Sequence, residues 1–433
     1  MMAPKNRIII DTDPGVDDTL AILLALAAHP DDLEVVMLSV TYGNVPLQSC
    51  LRNVVALFHV LEKETAWRKT QGKPEGFSSL KTFKPIVAVG AEHPLEDDEL
   101  MADNFHGADG LHGHPDLTPA DTWRSLFVDA TTGPTESVEP PSFSSFFTPS
   151  KTVAHKEILR ILKENPEDTI SICAVGPLTN LALAASEDPE TFLRVKEVVV
   201  MGGAVEVPGN ITPLAEFNTY ADTVATARVF ALTSPTPSST MPPVPPNKAT
   251  LPPYPAKLSK TLKLSLFPLD LTSPHNLNKN FFSGVVQPLI DEGSPLAKWI
   301  GTFMFGTYNK IESILQDGKE PGMSLHDPLT IWYMITRDDP LWKAVPELED
   351  IRVETSGQWT RGMHIIDRRE RARPPKHIGP ITTHPDDPLD AVEFNEDASN
   401  DWSTPTRGNR INRIIGSPGE DIFAKYLMER IVG

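Results

Sequence analysis

The 433-residue chain is poor in cysteine, in positive charge and in long apolar segments. It has only Cys50 and Cys173, fewer than a secreted protein of this size usually carries, so we expect two reduced, packed thiols. The longest apolar run, Leu20 to Ala28, is too short to span a bilayer. The N terminus enters a predicted strand almost at once, which leaves no room for a signal peptide, and we therefore predict a cytoplasmic location.

The deficit of positive charge also limits the possible partners. With 39 Lys and Arg against 58 Asp and Glu, the formal net charge is −19. Nucleic acid and anionic membranes would be repelled by this charge, so we expect neither as a partner. An uncharged small molecule would not be repelled.

Against this background, one acidic stretch near the N terminus stands out. The run Ile8-Ile9-Ile10 is followed by four aspartates within eight residues: Asp11, Asp13, Asp17 and Asp18. Two carboxylates about 4 Å apart repel by roughly 4 kcal/mol at an effective dielectric near 20. Such groups must protonate, separate into water or bind a cation, and oxygen ligands favour a hard ion such as Ca2+ or Mg2+.

The setting of these aspartates predicts an α/β fold. The β-branched run ahead of Pro14-Gly15 is typical of an inner parallel strand, and leucines recur at helical spacing from Asp17 onward. The carboxylates would then lie where a strand ends and a helix begins, which is where open α/β sheets bind ligands. A simpler interpretation is an acidic turn in which Asp17 only caps the helix.

The rest of the chain repeats this alternation of strands and helices. Predicted strands include 33–41, 85–90, 169–175, 197–200 and 264–271, with helices between them. This order predicts an open, mostly parallel, Rossmann-like sheet with helices on both faces and a site at the carboxyl ends of the strands.

Three blocks of the sequence resemble the nucleoside hydrolase family, specifically inosine-uridine preferring nucleoside hydrolases. They are the stretch from Asp11 to Asp18, the stretch Pro208 to Asn218, and the stretch Met323 to Thr330. The resemblance implies cleavage of the N-glycosidic bond of ribonucleosides with a bound Ca2+ ion. Its implied metal ligands are Asp13, Asp18, Asp327 and the main-chain carbonyl of Val175.

The resemblance also implies roles at the substrate. Side chains that would hold the ribose are Asp17, Asn44, Asn210, Glu216 and Asn218. Asp13 would act as general base toward water, and His326 would protonate the leaving base. The preferred base stays open, with uridine, cytidine, inosine, nicotinamide riboside and modified nucleosides all possible; selectivity would come from the loop near His106 and the helix near Tyr308.

Each of these assignments has a structural alternative. Asn210 and Glu216 could merely cap the next helix. His326 could be structural, beside an Asp327 that caps a helix beginning at Pro328. The aromatic residues of the predicted helix 298–314 are more often core than binding wall.

We expect one catalytic domain over residues 1–433, with Pro-rich insertions at about 118–150, 233–257 and 368–410. The second insertion has nine prolines between Thr233 and Pro255, and we predict a solvated, extended segment there. The chain could form a homodimer or homotetramer. Two other functions stay open: a phosphatase with Asp11 as nucleophile and Mg2+ as cofactor, and a nucleoside-binding protein without turnover.

Overall fold

A parallel β-sheet runs through the protein. The computed structural model describes residues 4–96, 100, 105–113, 121–127, 145–243, 251–315, 319–369, 402 and 406–433. Its strands are β1 Asn6–Thr12, β2 Leu33–Val40, β3 Ile86–Val89, β4 Thr148–Pro149, β5 Ser171–Ala174, β6 Val198–Met201, β7 Leu264–Phe267, β8 Asn276–Asn278, β9 Gly322–Ser324, β10 Lys343–Ala344, β11 Arg352–Val353, β12 His364–Ile365 and β13 Asn412–Gly416.

The helices alternate with the strands of the main sheet. They are α1 Val16–Leu26, α2 Leu47–Thr70, α3 Ser78–Thr82, α4 Ala154–Glu164, α5 Thr179–Glu187, α6 Pro189–Phe192, α7 Phe217–Ala221, α8 Thr223–Ala231, α9 Leu269–Thr272, α10 Lys279–Glu292, α11 Pro295–Ile314, α12 His326–Thr336 and α13 Glu420–Val432. Two short 3-10 helices cover Asp121–Leu126 and Pro237–Ser239.

The main sheet has nine strands in the order β10-β13-β7-β6-β5-β1-β2-β3-β4. All neighbours in this sheet are parallel except the edge pair β10 and β13. Two small antiparallel ribbons, β8 with β9 and β11 with β12, lie outside it. The prediction of an open, mostly parallel α/β sheet is confirmed.

The alternation of side chains along β1 explains why helices cover both faces. Ile8 and Ile10 are fully buried in the core that includes α1, α2, α11 and α12, whereas Ile9 is fully buried in the core on the other face with α4, α5 and α8. Burying each such side chain contributes roughly 1.5–3 kcal/mol. The apolar run Ile8–Ile10 of β1 is therefore held between two helical layers.

The position of β1 in the sheet determines where a ligand can bind. The chain adds β2, β3 and β4 on one side of β1 and then returns to add β5, β6 and β7 on its other side, so the strand order reverses at β1. Open α/β sheets bind ligands in the crevice at such a point, outside the carboxyl ends of the strands. The acidic motif follows β1 there.

Some local predictions were wrong. The predicted strand 264–271 ends at Phe267, and Pro268 precedes the short helix α9 instead. Residues 356–363 form bends and turns, with one isolated bridge from Met363 to Ala215. The prediction for helix 298–314 is confirmed, because Trp299, Phe303 and Tyr308 are core residues of α11.

The second insertion was also predicted wrongly as wholly solvated. Tyr254 is only 8% exposed, and the Arg228 guanidinium of α8 lies 5.1 Å from its ring centroid. Arg228 also donates hydrogen bonds to the carbonyl oxygens of Leu251 (3.3 Å) and Pro252 (2.7 Å). Proline-rich composition predicted the lack of regular structure but not this packing; residues 244–250 lie outside the described part.

In the first insertion, two described aromatic residues belong to the core. Trp123 and Phe147 are fully buried, and the Phe147 ring stacks on Phe58 with centroids 4.8 Å apart. Thr148 and Pro149 then form the edge strand β4 beside β3. Residues 114–120, 128–144 and most of the third insertion, 370–401 and 403–405, lie outside the described residues.

Both cysteines are free and buried, as expected. Among the described residues, no helix has the length and apolar character needed to cross a membrane.

Candidate active site

Three aspartates from distant parts of the chain meet beyond the carboxyl end of β1. Asp17 and Asp18 lie in the first turn of α1, and Asp327 lies in the first turn of α12. One carboxylate oxygen from each of the three lies within 4.8 Å of the other two, and all three side chains are buried. The predicted ligands Asp18 and Asp327 are thus brought together, and Asp17, predicted at the ribose, joins them.

Asp18 holds the turn of the motif in place. Its Oδ1 accepts hydrogen bonds from Thr12 Oγ1 (2.6 Å) and the Asp13 amide (3.1 Å), and its Oδ2 accepts from the Gly15 amide (3.1 Å) and Asn44 Nδ2 (3.0 Å). The backbone amides at the start of α1 therefore bind Asp18. The alternative in which Asp17 caps this helix is wrong.

Asp13 has one oxygen bound and one oxygen free. Its Oδ2 accepts from the Asn44 amide (2.7 Å), whereas its buried Oδ1 has no hydrogen-bond partner. Two glycines make room for this carboxylate: a Cβ on Gly43 would lie 2.0 Å from Oδ2, and one on Gly176 would lie 2.5 Å from Oδ1. A buried carboxylate oxygen without a donor is the kind of atom that a cation would satisfy.

Burial raises the pKa of four carboxylates at the site, and the charges of neighbouring aspartates add to this effect at Asp13, Asp17 and Asp327. Burial raises the pKa of Asp17 to about 7, and the charge of Asp18 adds to this effect. Burial, followed by the charges of neighbouring aspartates, raises the pKa of Asp13 and Asp327 well above the usual range. Burial also raises the pKa of Asp18. A cation would stabilise the ionised forms of all four.

The donor set fits a hard metal ion. The three clustered side chains offer only carboxylate oxygens, and the predicted ligand Asp13 is not a member of this cluster. Oxygen ligands suit Ca2+, Mg2+ or Mn2+ rather than the softer metals that bind Cys. The buried aspartate cluster is therefore compatible with a metal site.

Asp11, the first aspartate of the motif, has a different environment. It is fully buried, and its Oδ1 accepts hydrogen bonds from Ser39 Oγ and from Asn180 Nδ2 (2.9 Å). Asn180 in turn accepts a hydrogen bond from the Ala91 amide at the end of β3. Asp11 thus ties β1, β2 and α5 together beneath the site and does not line the cavity.

A cavity of about 580 Å³ opens above the carboxylates. Eight of the predicted site residues line it: Asp17, Asn44, Val175, Asn210, Glu216, Asn218, His326 and Asp327. Asp13 and Asp18 are not part of its wall and lie behind it, each hydrogen-bonded to Asn44. The sequence therefore placed its candidates at one site, although two of them are not exposed to the cavity.

The loop between β6 and α7 supplies one side of the cavity. The Glu216 carboxylate caps α7 by accepting from the amides of Asn218 (2.7 Å) and Thr219 (3.0 Å), and it also accepts from the Gly203 amide (2.8 Å). Asn218 Nδ2 donates to the Val175 carbonyl (2.9 Å). A carbonyl oxygen has two lone pairs, so this bond leaves one for another ligand. Glu216 both caps the helix and lines the cavity.

His326 begins helix α12. This helix starts two residues before Pro328, and its N-cap is Leu325, so the prediction that Asp327 is the cap is wrong. The ring Nδ1 of His326 lies 2.7 Å from Thr272 Oγ1. Burial lowers the pKa of His326 to about 4, so the neutral imidazole is the main form at pH 7.

A second histidine, His106, enters the cavity from the glycine-rich loop. Its Nδ1 accepts a hydrogen bond from the Val16 amide at the start of α1 (3.0 Å), so the neutral ring carries its proton on Nε2. Asn53 Nδ2 donates to the carbonyl oxygens of Asp109 in this loop (2.9 Å) and of Pro14 in the motif (2.8 Å). The loop near His106 is thus bonded directly to the acidic motif.

Sequence reasoning missed the apolar part of the wall. The missed side chains are Phe105, Met201, Ile211, Phe217, Ile311, Ile314 and Met323. Tyr308 does not line the cavity, and its hydroxyl donates to the Leu277 carbonyl (3.0 Å). Ile311 and Ile314, farther along α11, line the cavity instead. The three-residue spacing of these isoleucines at the end of a helix was the only sequence pattern that could have indicated a wall residue, but the same spacing is also typical of ordinary core residues.

Comparison with known proteins agrees with this arrangement. Residues 8–388 match the family model described as inosine-uridine preferring nucleoside hydrolase. The pyrimidine-specific ribonucleoside hydrolase RihA of Klebsiella pneumoniae is 29% identical over 365 residues, which cover 83% of this chain and 88% of the relative.

Two solved structures share the fold. A plant nucleoside hydrolase superposes with a TM-score of 0.60 at 22% identity, covering 99% of this chain and 100% of the other. A purine-preferring ribonucleoside hydrolase from Gardnerella vaginalis superposes with a TM-score of 0.61 at 21% identity, covering 98% of each chain. Since the family model spans most of the sequence, this chain belongs to the inosine-uridine preferring nucleoside hydrolase family.

Proposed function

We propose that this ribonucleoside hydrolase cleaves the N-glycosidic bond of ribonucleosides, uridine, inosine or a similar compound, to free base and ribose, and that it depends on Ca2+. The observation that carries the proposal is the buried cluster of Asp17, Asp18 and Asp327 beside a cavity lined by Asn210, Glu216 and Asn218. Carboxylates that need a cation adjoin amide and carboxylate groups that suit a vicinal diol.

In this proposal Asp13, Asp18, Asp327 and the Val175 carbonyl hold the ion. When bound, Ca2+ supplies Lewis acidity toward water and the ribose hydroxyls. Asp13 accepts the proton of the attacking water through its free Oδ1, which has no competing donor in the protein.

The remaining side chains orient and stabilise the sugar. Asp17, Asn44, Asn210, Glu216 and Asn218 bind the ribose hydroxyls. Their carboxylates also stabilise the positive charge that develops at the sugar as the bond to the base breaks. Because Glu216 is fixed by three backbone amides, it presents this charge without reorganising.

His326 is the proposed proton donor to the leaving base. Its Nδ1 is bonded to Thr272, which leaves Nε2 as the ring nitrogen available to a base. With its low pKa, the imidazole donates a hydrogen bond as a neutral group at pH 7. Full protonation of the base would require the substrate to raise that pKa.

A phosphatase with Asp11 as nucleophile fits less well. The Asp11 carboxylate is bonded to Ser39 and Asn180, which are not part of the cavity wall, whereas Asp13 is bonded to Asn44 of that wall. Among the lining residues that the structure describes, none is Lys or Arg to bind a phosphate. A nucleoside-binding protein without turnover would need the same cavity, and only an activity assay separates the two.

The deciding experiment measures ribose release from uridine and inosine by the purified protein, with and without a calcium chelator. We expect release that the chelator abolishes and added Ca2+ restores, without a requirement for phosphate. Asp13→Asn should reduce turnover by at least about 100-fold, since it removes the base while keeping the shape of the side chain. An Asp13→Asn enzyme with full activity would contradict the proposed arrangement, and nucleoside binding without product would favour the binding protein.

We further propose that residues 1–433 form one catalytic domain with the three insertions, that the protein is cytoplasmic, and that it assembles as a homodimer or homotetramer. Ultracentrifugation of the purified chain tests the last point. A monomer at micromolar concentration would contradict it.

A further inference from the structure

The loop of residues 105–113 contributes two aromatic rings to the cavity wall. Phe105 and His106 line the cavity, and their rings pack edge to face with centroids 5.1 Å apart. The Nδ1 atom of His106 accepts a hydrogen bond from the Val16 amide at the start of α1 (3.0 Å). The two rings therefore keep their places only while the loop stays against the acidic motif.

The packing of His106 against the motif leaves no free space. A Cβ on Gly15 would lie 2.8 Å from Nδ1 of His106, closer than van der Waals contact allows, so the ring rests directly on this glycine. A hydrogen bond also weakens steeply as its distance and angle depart from the optimum. A small displacement of the loop away from α1 is therefore enough to break the bond between His106 and the Val16 amide.

A single amide group on α2 binds both the loop and the motif. Asn53 Nδ2 donates one hydrogen bond to the Pro14 carbonyl oxygen (2.8 Å) and one to the Asp109 carbonyl oxygen (2.9 Å). A side-chain amide has two N–H groups, and here each binds a different segment of the chain. Asn53 is 5% exposed and does not line the cavity. It thus fixes the distance between the acidic turn and the loop from outside the cavity.

The backbone of the loop passes very close to this amide. Gly110 has a φ of +89°, and a Cβ there would lie 2.7 Å from Asn53 Nδ2 and 3.2 Å from the Pro14 carbonyl oxygen. Glycine suits both this backbone conformation and this short distance. Nearer its other end the loop rests on α11, where His112 Nε2 lies 3.3 Å from Thr307 Oγ1. Loss of the Asn53 bonds would therefore free the half of the loop nearer the cavity rather than the whole loop.

We propose that Asn53 is a positioning residue of the active site, which acts by holding His106 and Phe105 in the cavity wall. The inference rests on the proposed function and adds to it a residue outside the cavity. Both hydrogen bonds of the Asn53 amide nitrogen go to backbone carbonyls, so the residue sets the place of the loop and does not take part in the chemistry. A residue that acts through His106 loses its effect once that ring is removed.

The test is a double-mutant cycle on kcat/KM for ribose release from uridine and inosine at saturating Ca2+. Asn53→Leu removes both N–H donors and keeps a side chain of similar size. We expect it to lower kcat/KM about tenfold in the wild-type background, since it misplaces groups of the cavity wall. In a His106→Ala background it should lower kcat/KM less than about twofold. Gln71→Leu, the same loss of an amide at the exposed C-cap of α2, should change kcat/KM less than about twofold in either background.

A second pair of variants tests the same contact from the side of the loop. Gly110→Ala places a methyl group 2.7 Å from Asn53 Nδ2, whereas Gly113→Ala, in the same loop at a φ of +73°, meets nothing closer than 3.8 Å. Both variants carry the strain of a side chain at positive φ, but only Gly110→Ala also pushes the loop away from α2. Hydrogen exchange of the amides in residues 105–113 and of the Val16 amide should be about tenfold faster in Gly110→Ala and Asn53→Leu than in Gly113→Ala.

The response to Ca2+ shows whether Asn53 acts through the acidic motif instead. Asn53→Leu removes a bond to the Pro14 carbonyl but none to a carboxylate. The rise in Tm on addition of Ca2+ should therefore be the same in Asn53→Leu as in wild type. A smaller rise in the variant would mean that Asn53 supports the ion site, and it would overturn the inference.

The outcomes distinguish this inference from the proposed function. If Asn53→Leu lowers kcat/KM by the same factor in the wild-type and His106→Ala backgrounds, Asn53 only stabilises the fold. That result overturns the inference and leaves the nucleoside hydrolase function intact. Hydrogen exchange in residues 105–113 that is the same in Gly110→Ala, Asn53→Leu and Gly113→Ala also overturns it. Ribose release from neither nucleoside by the wild-type protein overturns both.

Discussion

Gly176 tests whether the position of Asp13 determines activity. The residue follows Val175 at the end of β5, and a Cβ added there would lie 2.5 Å from Asp13 Oδ1 and 3.0 Å from its Cγ. Its backbone is not in the left-handed region, so Gly176→Ala introduces a steric change without backbone strain. The substitution acts on Asp13 Oδ1, the free oxygen that in the proposed mechanism accepts the proton of the attacking water, and on a residue that holds the ion.

The expected effect is large at the site and moderate for the fold. Ordinary contacts to a Cβ begin at 3.4 Å, so the Asp13 oxygen must move by roughly 1 Å, and a displacement of this size can reduce a rate about 100-fold. Overpacking of this kind costs about 1–3 kcal/mol of the free energy of unfolding. We therefore expect a folded protein with about 100-fold lower kcat and weaker binding of Ca2+.

The assay combines ribose release with thermal unfolding over a range of Ca2+ concentrations. Gly284→Ala is the control, because an added Cβ there meets nothing within 4 Å on an exposed position of α10. It should keep full activity and gain about 0.5–1 kcal/mol from helix propensity. A Gly176→Ala enzyme with normal kcat and normal Ca2+ affinity would refute the role assigned to Asp13.

Three further predictions concern protons and the metal. If His326 is the acid, His326→Ala should lower kcat on inosine by about 10²–10⁴-fold. Thr272→Val, which removes the hydroxyl bonded to the His326 ring, should lower kcat less. An unchanged kcat in both variants would mean that His326 is structural. Asp17 lies in the same buried cluster as the proposed ligands Asp18 and Asp327, and burial raises its pKa to about 7, so protonation of Asp17 should weaken the binding of Ca2+. The difference in Tm between calcium and chelator should therefore shrink from pH 8 to pH 6. A constant difference would show that the charge of Asp17 does not act on the ion. Burial lowers the pKa of His364 to about 4 from 6.5, so the folded form binds fewer protons than the unfolded form and stability is lost as pH falls from 6.5 to 4. Over that window the free energy of unfolding in urea should fall by about 3 kcal/mol more in wild type than in His364→Phe. An equal dependence of this free energy on pH in both proteins would contradict the shift.

Features with a strong local signature were predictable from the sequence. The buried run at Ile8 to Ile10 and the aspartates after it combine hydrophobicity, turn residues and charge in eleven consecutive residues, so both the strand and the site followed. The parallel sheet followed from repetition of this pattern. The core role of Tyr308 followed from helical periodicity.

Features that depend on tertiary contacts were not predictable. Nothing in the proline-rich segment shows that Tyr254 packs under Arg228, because both partners are needed to bury the ring. The short helix after Pro268 interrupts a segment of mostly apolar residues, 264–271, whose composition alone resembles that of a strand. Likewise, Ile311 and Ile314 have the helical spacing of core residues, and they differ from core residues only because they face the cavity.

The four aspartates of the motif show most clearly the difference between what local sequence predicts and what tertiary contacts decide. Their residue type is identical, so only their environment determines their roles. Asp18 accepts four hydrogen bonds and holds the turn, while Asp11 joins neighbouring strands away from the cavity. Asp17 reaches the cavity wall. Asp13 retains a free buried oxygen because glycines stand at positions 43 and 176. The chemistry of the motif therefore depends as much on two residues without side chains, one after β2 and one after β5, as on the carboxylates themselves, and Gly176→Ala measures that dependence directly.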